Sequence, residues 1–140
     1  MSGNGAARVL CVDDNAVITE ALAAAFSASR EFRWLGALPD ANTLLATCLA
    51  DPPDLVLLDV DMPGRDPFEV LAELAEARPE VRVLLFSGLV RRDLVHRALE
   101  AGAWGYVSKN DGADALLDAM RRVTAGELGF SPEAERWAEE

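Results

Sequence analysis

The sequence predicts an α/β fold in which helices cover both faces of a parallel β-sheet, and two observations carry this prediction. Short apolar runs rich in β-branched residues recur along the chain, as in residues 9–12, 55–58 and 83–86. Such runs are typical of strands that are buried on both faces of a parallel sheet. Helical apolar patterns separate the runs, and this alternation indicates successive β–α units.

Five strands and five helices alternate along the chain. The strands are predicted where an apolar run is bounded by polar or turn residues, over about residues 8–13, 32–37, 54–59, 81–86 and 104–108. The helices are predicted by apolar residues spaced three and four apart, over about residues 16–29, between Asp40 and Asp51, from Pro67 to about Arg78, over about 91–101, and from Asn110 or Asp111 through Val123.

Several helix boundaries have a local reason. Asp40 can cap the second helix, and Asn110 or Asp111 can cap the last one, because a carboxylate or amide oxygen accepts hydrogen bonds from the free N–H groups of a first turn. Pro67 suits the first turn of the third helix, where its missing N–H costs nothing. Gly102 is placed to end the fourth helix.

Length and charge exclude several classes of protein. At 140 residues with a net charge of −11, the chain is one domain with a sizeable core, and its charge disfavours direct binding to nucleic acid. No apolar run is long enough to span a membrane. Residues 1–7 are small and polar and lack the features of a signal peptide, so we expect a frayed tail on a cytoplasmic protein. Cys11 and Cys48 have no metal or redox spacing, and Cys11 is expected to be buried.

Polar residues end the predicted strands. Asp13 ends the first strand and Asp14 follows it, Asp59 ends the third, Ser87 follows the fourth and Lys109 follows the fifth. Because the carboxyl ends of parallel strands line one crevice, these side chains should converge there. Crowded carboxylates repel each other unless a cation lies among them, and carboxylate oxygens with a few waters suit Mg²⁺.

These residues, in this order, resemble a response-regulator receiver domain. The resemblance rests on Asp13-Asp14, on Asp59-Val60-Asp61-Met62-Pro63-Gly64, on Phe86-Ser87-Gly88 and on Gly105-Tyr106-Val107-Ser108-Lys109. The stretches 98–103 and 121–127 are similar to those of the NarL/FixJ-type branch. The resemblance implies a flavodoxin-like (βα)5 fold, a doubly wound parallel five-stranded sheet with strand order 2-1-3-4-5. The receiver domain would cover residues 8–126, and residues 127–140 would form a linker or a short C-terminal helix.

The resemblance also implies a role for each site residue. Asp59 would be the phosphoryl acceptor of a two-component signalling module, which is not an enzyme acting on a separate substrate. The Mg²⁺ cofactor would be held by the carboxylates of Asp14 and Asp59 and by the backbone carbonyl of Asp61, and Asp13 would reach the metal through water. Residues that bind the phosphoryl group or switch in response to it would be Ser87, Tyr106 and Lys109.

Partners and switching follow from the same resemblance. A sensor histidine kinase would donate the phosphoryl group, phosphorylation would draw Ser87 inward, and Tyr106 would leave an outward position and turn into the vacated space. The surface of the fourth helix, fifth strand and last helix would change, with a homodimer as one outcome. We expect Trp104 on the same side of the strand as Tyr106, and His96 on the solvent side of its helix. A helix-turn-helix output domain follows in most NarL/FixJ-type proteins.

Two residues depart from the family pattern. Pro67 stands where receiver domains usually carry glycine, and proline cannot adopt a left-handed turn, so the loop before the third helix is expected to be reshaped. Asp61 adds a negative charge beside the acceptor and is expected to influence the lifetime of the phosphoryl group.

Two alternatives compete with this interpretation. The run ending in Asp59-Val60-Asp61 also resembles the motif of haloacid-dehalogenase phosphatases, with Asp59 as nucleophile and Asp61 as general acid–base. In that family the nucleophile lies on the first strand and the acidic pair comes last, which is the reverse of the order here. A degenerate pseudo-receiver that acts only as a docking module is disfavoured by the complete acidic cluster and by Lys109.

Overall fold

A six-stranded parallel sheet forms the centre of the computed structural model, which describes residues 5–138. Its strands are β1 (Ala7–Val12), β2 (Phe32–Leu38), β3 (Leu55–Leu58), β4 (Arg82–Ser87), β5 (Gly105–Ser108) and β6 (Gly129–Phe130). The helices are α1 (Ala16–Ser27), α2 (Leu44–Ala50), α3 (Pro67–Ala77), α4 (Arg92–Glu100), α5 (Gly112–Thr124) and α6 (Pro132–Ala138), and a 3₁₀ turn spans Lys109–Asp111.

The strand order is β2-β1-β3-β4-β5-β6, so the predicted order of the first five strands is confirmed and the predicted number of five is wrong. The additional strand, β6, has two residues and lies within the segment 127–140. Two residues are too few to show the alternation by which strands are recognised in a sequence. At the other terminus, Ala7 belongs to β1, while residues 1–4 of the expected tail lie outside the described residues.

Two apolar layers enclose the sheet. On one face, Leu10 and Val12 of β1 pack with residues of α2, α3 and α4. On the other face, Val9 and Cys11 pack with residues of α1 and α5. Because all four residues of β3 (Leu55–Leu58) are fully buried, the centre of the sheet is dry, and polar groups are confined to the strand ends. The expected burial of Cys11 is confirmed, and burial raises the pKa of its thiol to about 12.

Two of the expected helix caps are wrong. The Asp40 carboxylate accepts a hydrogen bond from the backbone N–H of Asn42, two residues before α2 begins. The Asp111 carboxylate accepts one from the backbone N–H of Glu133, on a different element. In both cases the carboxylate accepts its hydrogen bond from a residue outside the helix that follows it. The preference of aspartate for helix N-caps does not reveal such a partner.

Pro67 begins α3, as expected. Asp66 precedes it and accepts a hydrogen bond from the backbone N–H of Phe68, so an N-cap and a proline together start the helix. The turn before it requires glycine at Gly64, where φ is +99° and a Cβ atom would lie 2.7 Å from the Asn42 side-chain oxygen. That oxygen also accepts a hydrogen bond from the backbone N–H of Arg65, which holds the loop against the start of α2.

None of the helices within the described residues has the length and apolar character that a membrane span requires.

A close backbone approach joins β5 to β6, and it predicts the effect of a substitution. A Cβ atom at Gly105 would lie 1.7 Å from the carbonyl oxygen of Gly129, so Gly105→Ala should push the strands apart and destabilise the protein by about 1–3 kcal/mol. Urea unfolding measures the change. Gly88→Ala is the control because no atom lies within 4 Å of its Cβ position. Equal stability of the two variants would contradict the close approach.

Candidate functional site

Three carboxylates meet at the carboxyl ends of β1 and β3. These strands pair in parallel with Val12 opposite Leu58, so the residues that follow, Asp13 and Asp59, lie side by side. Oxygen atoms of Asp13, Asp14 and Asp59 all lie within 4.8 Å of one another. Asp13 and Asp59 are each 4% exposed, whereas Asp14 faces solvent. The sequence-predicted acidic cluster is therefore present, and its repulsion needs compensation.

Lys109 supplies a compensating charge. Its ammonium nitrogen lies 2.6 Å from Asp13 Oδ2 and 3.0 Å from Asp59 Oδ2. To reach these oxygens from the end of β5 it crosses β4, with the ammonium 5.7 Å from the centre of the Phe86 ring. Burial alone would lower the pKa of Lys109, but its interactions with Asp13 and Asp59 outweigh burial and raise that pKa. The lysine is therefore held as a cation.

The cluster keeps oxygen atoms available for a ligand. Asp13 Oδ1 accepts a hydrogen bond from the backbone N–H of Asn15, and Asp59 Oδ1 accepts one from the backbone N–H of Asp61 at 3.2 Å. Asp13 Oδ2 is buried and, apart from its ion pair with Lys109, has no hydrogen-bond partner among the described residues. A buried carboxylate oxygen that has Lys109 as its one partner, beside an exposed carboxylate, fits a divalent cation that prefers oxygen ligands.

Ser87 and Tyr106 lie on the neighbouring strands at the same end of the sheet. Ser87 ends β4 and is fully buried, and its hydroxyl accepts a hydrogen bond from the backbone N–H of Leu89 at 3.1 Å. Tyr106 lies on β5, and its hydroxyl donates to the carbonyl oxygen of Leu89 at 2.5 Å. The loop between β4 and α4 is thus held from both strands.

The outward position expected for Tyr106 is wrong. The residue is fully buried and packs in the same apolar cluster as Leu94 and Val95 of α4. Burial first, and then the charge of Asp59, raises the pKa of its phenol above the ordinary value. The ring therefore occupies the inward position that the sequence analysis assigned to the phosphorylated protein.

Expectations for two other side chains are also wrong. Trp104 packs on the α1–α5 side of the sheet with the Arg82 guanidinium 4.6 Å from its ring centre, whereas Tyr106 faces the opposite side. Alternation within a strand does not apply to Trp104, because β5 begins one residue later. His96 is half-buried, and its Nε2 lies 2.8 Å from the carbonyl oxygen of Trp137 in α6.

Sequence reasoning missed a polar group beside Lys109. Ser108, the preceding residue, is fully buried; its hydroxyl donates to Glu133 Oε1 and its backbone N–H donates to the Ser131 hydroxyl. Ser131-Pro132-Glu133 carries a recognisable helix-start signal, a serine cap followed by proline. Nothing in the sequence indicates that this helix start lies against β5.

Both the sequence and the fold are similar to those of known proteins. Residues 9–121 match the family model described as the response regulator receiver domain. The response regulator protein VraR of Staphylococcus aureus is 29% identical over 126 residues, which are 90% of this chain and 60% of VraR. A two-component response regulator of the LuxR family from Aurantimonas sp. SI85-9A1 superposes with a TM-score of 0.88 and 25% identity, covering 96% of each chain. A signal receiver domain described as that of NarL from Mycobacterium tuberculosis has a TM-score of 0.80 and 30% identity, over 87% of this chain and 98% of that one.

The chain belongs to the response regulator receiver family, and its relatives are of the LuxR/NarL type. It is a signalling module of two-component systems, with the flavodoxin-like fold of that family. It spans about 60% of the length of the curated relatives it matches.

The pairing of Lys109 with two buried carboxylates makes stability depend on pH. Lys109→Met should cost about 3 kcal/mol near neutral pH, because Asp13 and Asp59 lose their counter-charge. Since the folded-state pKa of Lys109 is raised above 10.5, its contribution is complete below that pH and is lost as the pH rises through the folded-state value.

Urea unfolding from neutral pH to about pH 11 measures this difference in stability. Arg122→Met is the control, since it removes only an exposed ion pair with Asp118 and should change stability by less than about 1 kcal/mol. A stability difference between Lys109→Met and wild type that persisted unchanged at the highest pH would contradict the ion pairing.

Proposed function

We propose that Asp59 accepts a phosphoryl group from a sensor histidine kinase and that Mg²⁺ is required for this transfer. The observation that carries the proposal is the meeting of Asp13, Asp14 and Asp59 around the single ammonium group of Lys109. Three carboxylates and one ammonium leave a net negative charge, which a divalent cation would neutralise before an anionic phosphoryl group approaches.

Asp13, Asp14 and Asp59 would hold Mg²⁺ together with the backbone carbonyl of Asp61. When bound, the metal supplies positive charge against the phosphoryl oxygens and the attacking carboxylate. A carboxylate oxygen of Asp59 would attack phosphorus, the bond from phosphorus to the donor's leaving group would break, and an acyl phosphate would form on Asp59. Water would later hydrolyse this acyl phosphate slowly.

Lys109 and Ser87 would bind the transferred group. Lys109 already contacts Asp59 Oδ2, so its ammonium needs only a small shift to pair with a phosphoryl oxygen. The Ser87 hydroxyl accepts a hydrogen bond from the backbone N–H of Leu89, and its own proton would be donated to a second phosphoryl oxygen. Movement of Ser87 would displace Leu89, whose backbone N–H it binds. The carbonyl oxygen of Leu89 accepts the hydrogen bond of the Tyr106 hydroxyl, so the displacement would reach Tyr106.

The kinase would approach over the start of α1. That helix begins three residues after Asp13, and it presents Val17, which is 75% exposed, beside the exposed Asp14. An exposed aliphatic side chain next to a charged crevice offers a partner an apolar contact close to the reacting group.

We further propose that the module acts in the cytoplasm. It would control transcription through a separate DNA-binding domain. The longer relative VraR is a response regulator, and RcsB, which shares the fold at 15% identity, has been solved in a complex with DNA. The net charge of −11 disfavours DNA contact by this chain itself. Pairing with a second copy on phosphorylation stays a prediction.

Mg²⁺ should stabilise the protein through the acidic cluster. At ten to a hundred times its dissociation constant, the ion should add about 1.4–2.7 kcal/mol to the free energy of unfolding, measured by thermal and urea unfolding with and without Mg²⁺. Asp14→Asn should lose most of this gain, because it removes one carboxylate ligand. Asp61→Asn is the matched control, since it removes a neighbouring charge and keeps the backbone carbonyl. A gain unchanged in Asp14→Asn would place the ion elsewhere.

Asp59 should be the residue that acetyl phosphate modifies in the presence of Mg²⁺. Intact-mass spectrometry should show one phosphoryl adduct on the wild type and none on Asp59→Asn, because an amide is a poor nucleophile. Asp61→Asn should still form the adduct. Lys109→Met should form it at a rate lower by about a hundredfold, because the phosphoryl group loses its cationic partner. An adduct mapped to Ser87 or His96 would overturn the assignment.

A further inference from the structure

The segment from Gly129 to Ala138, formed by β6 and α6, lies over the outer edge of β5 and against α4. The backbone N–H of Gly129 donates to the carbonyl oxygen of Trp104 at 3.0 Å, and that of Ser131 donates to the carbonyl oxygen of Tyr106 at 3.1 Å. We call residues 129–138 the C-terminal latch. It continues the sheet next to the strand that carries Tyr106.

The latch fits β5 through two facing glycines. A Cβ atom at Gly105 would lie 1.7 Å from the Gly129 carbonyl oxygen, and one at Gly129 would lie 2.6 Å from the carbonyl oxygen of Ala119 in α5. Both backbones come closer than any side chain would permit. The Gly129 backbone of the latch therefore fits closely against both β5 and α5.

Polar bonds then fasten the latch on both sides of the Lys109 turn. Before the turn, Ser108 donates its backbone N–H to the Ser131 hydroxyl at 2.8 Å and its own hydroxyl to Glu133 Oε1 at 2.5 Å. After the turn, Asp111 accepts a hydrogen bond from the backbone N–H of Glu133 at 2.9 Å. Ser108 and Ser131 are almost completely buried, so an open latch would leave Ser108 groups without these partners.

The latch also closes the space around Tyr106. Ala134 of α6 is fully buried in the apolar cluster that contains Tyr106, and Trp137 packs against the same cluster while its carbonyl oxygen contacts His96 of α4. With β6 on one side, α4 on the other and α6 above, the ring has no outward position. The inward ring and the closed latch belong to the same arrangement.

We propose that the C-terminal latch and Tyr106 form one two-state element that couples the phosphorylation site to the α4–β5 surface. In the closed state the latch occupies this surface, holds Tyr106 inward with its hydroxyl on Leu89, and fixes the Lys109 turn at Ser108 and Asp111. In the open state Tyr106 is free to turn outward and the α4–β5 surface is uncovered. The direction of coupling rests on the proposed function: a phosphoryl group on Asp59 favours the closed latch, and a closed latch strengthens phosphoryl binding by the same factor.

The first arm of the test needs no phosphoryl group. Tyr106 is the single tyrosine of the chain, so nitration by tetranitromethane, mapped by mass spectrometry, reports on this residue alone. The double substitution Ser131→Ala with Glu133→Ala removes both acceptors of Ser108 and should speed nitration by about tenfold or more. Glu135→Ala is the matched control, because it removes an exposed glutamate of the same helix and should leave the rate unchanged.

The second arm uses beryllofluoride, a stable mimic of the phosphoryl group, with Mg²⁺. In the wild type it should slow amide hydrogen exchange at Gly129 and Ser131 and slow the nitration of Tyr106. The double variant should bind beryllofluoride about tenfold more weakly, by the reciprocity of coupling, and Glu135→Ala should bind it as the wild type does. Circular dichroism and a two-dimensional amide spectrum establish that the double variant retains its fold.

The outcomes separate the two proposals. If beryllofluoride fails to bind the wild type, the proposed function fails, while the nitration arm still decides whether the latch controls Tyr106. Equal nitration of the double variant and the wild type would overturn the latch proposal. Beryllofluoride binding that is equally tight in both proteins would overturn its coupling to the phosphorylation site. If the double variant unfolds globally, Ser131→Ala, which removes one acceptor of Ser108, takes its place. A nitration rate of Ser131→Ala equal to that of the wild type would then overturn the latch proposal.

Discussion

The ammonium group of Lys109, held between Asp13 and Asp59, is the interaction on which the rest of this structure depends. Asp13 and Asp59 are almost completely buried side by side, and this ammonium offsets the repulsion between them. The three residues come from the ends of β1, β3 and β5, so their charge balance exists only when these strands lie in the observed order. The long lysine stem is what allows the charge to cross β4, over the ring of Phe86. The charge balance of the site therefore requires this strand order, and the strand order brings the charges together.

The order of the strands and the position of the acidic cluster were predictable because each depends on a strong local signal. Apolar runs such as 55–58 identify buried strands, and the polar residue after each run marks the end where strands converge. The face of Trp104, the environment of His96 and the sixth strand were not predictable. Each depends on what residues distant in the sequence place there, Arg82 for Trp104 and α6 for His96, and such tertiary contacts override local preference.

Pro67 and Asp61 show how a departure from the family pattern is absorbed. Proline lies where the chain enters α3, so it starts the helix together with Asp66, and the left-handed turn is made earlier by Gly64. Asp61 turns its backbone N–H toward Asp59 while its side chain faces solvent. Its extra negative charge is therefore screened by water, which limits its effect on the buried carboxylates. Neither departure disturbs the contacts of Lys109.

Ser108 explains why a small movement at the site would have a discrete effect at the far edge of the sheet. The next residue, Lys109, is ion-paired with the carboxylates and would move with them. The backbone N–H and the hydroxyl of Ser108 both donate hydrogen bonds to the latch. A shift of the turn by about 1 Å would lengthen these buried bonds beyond the hydrogen-bond range, and each unsatisfied group costs about 1–3 kcal/mol. Intermediate positions are thus unfavourable, and the turn and the latch must change together or not at all. Under the proposed latch, this buried, hydrogen-bonded serine next to a charged site would convert a graded electrostatic change into a choice between two packed arrangements.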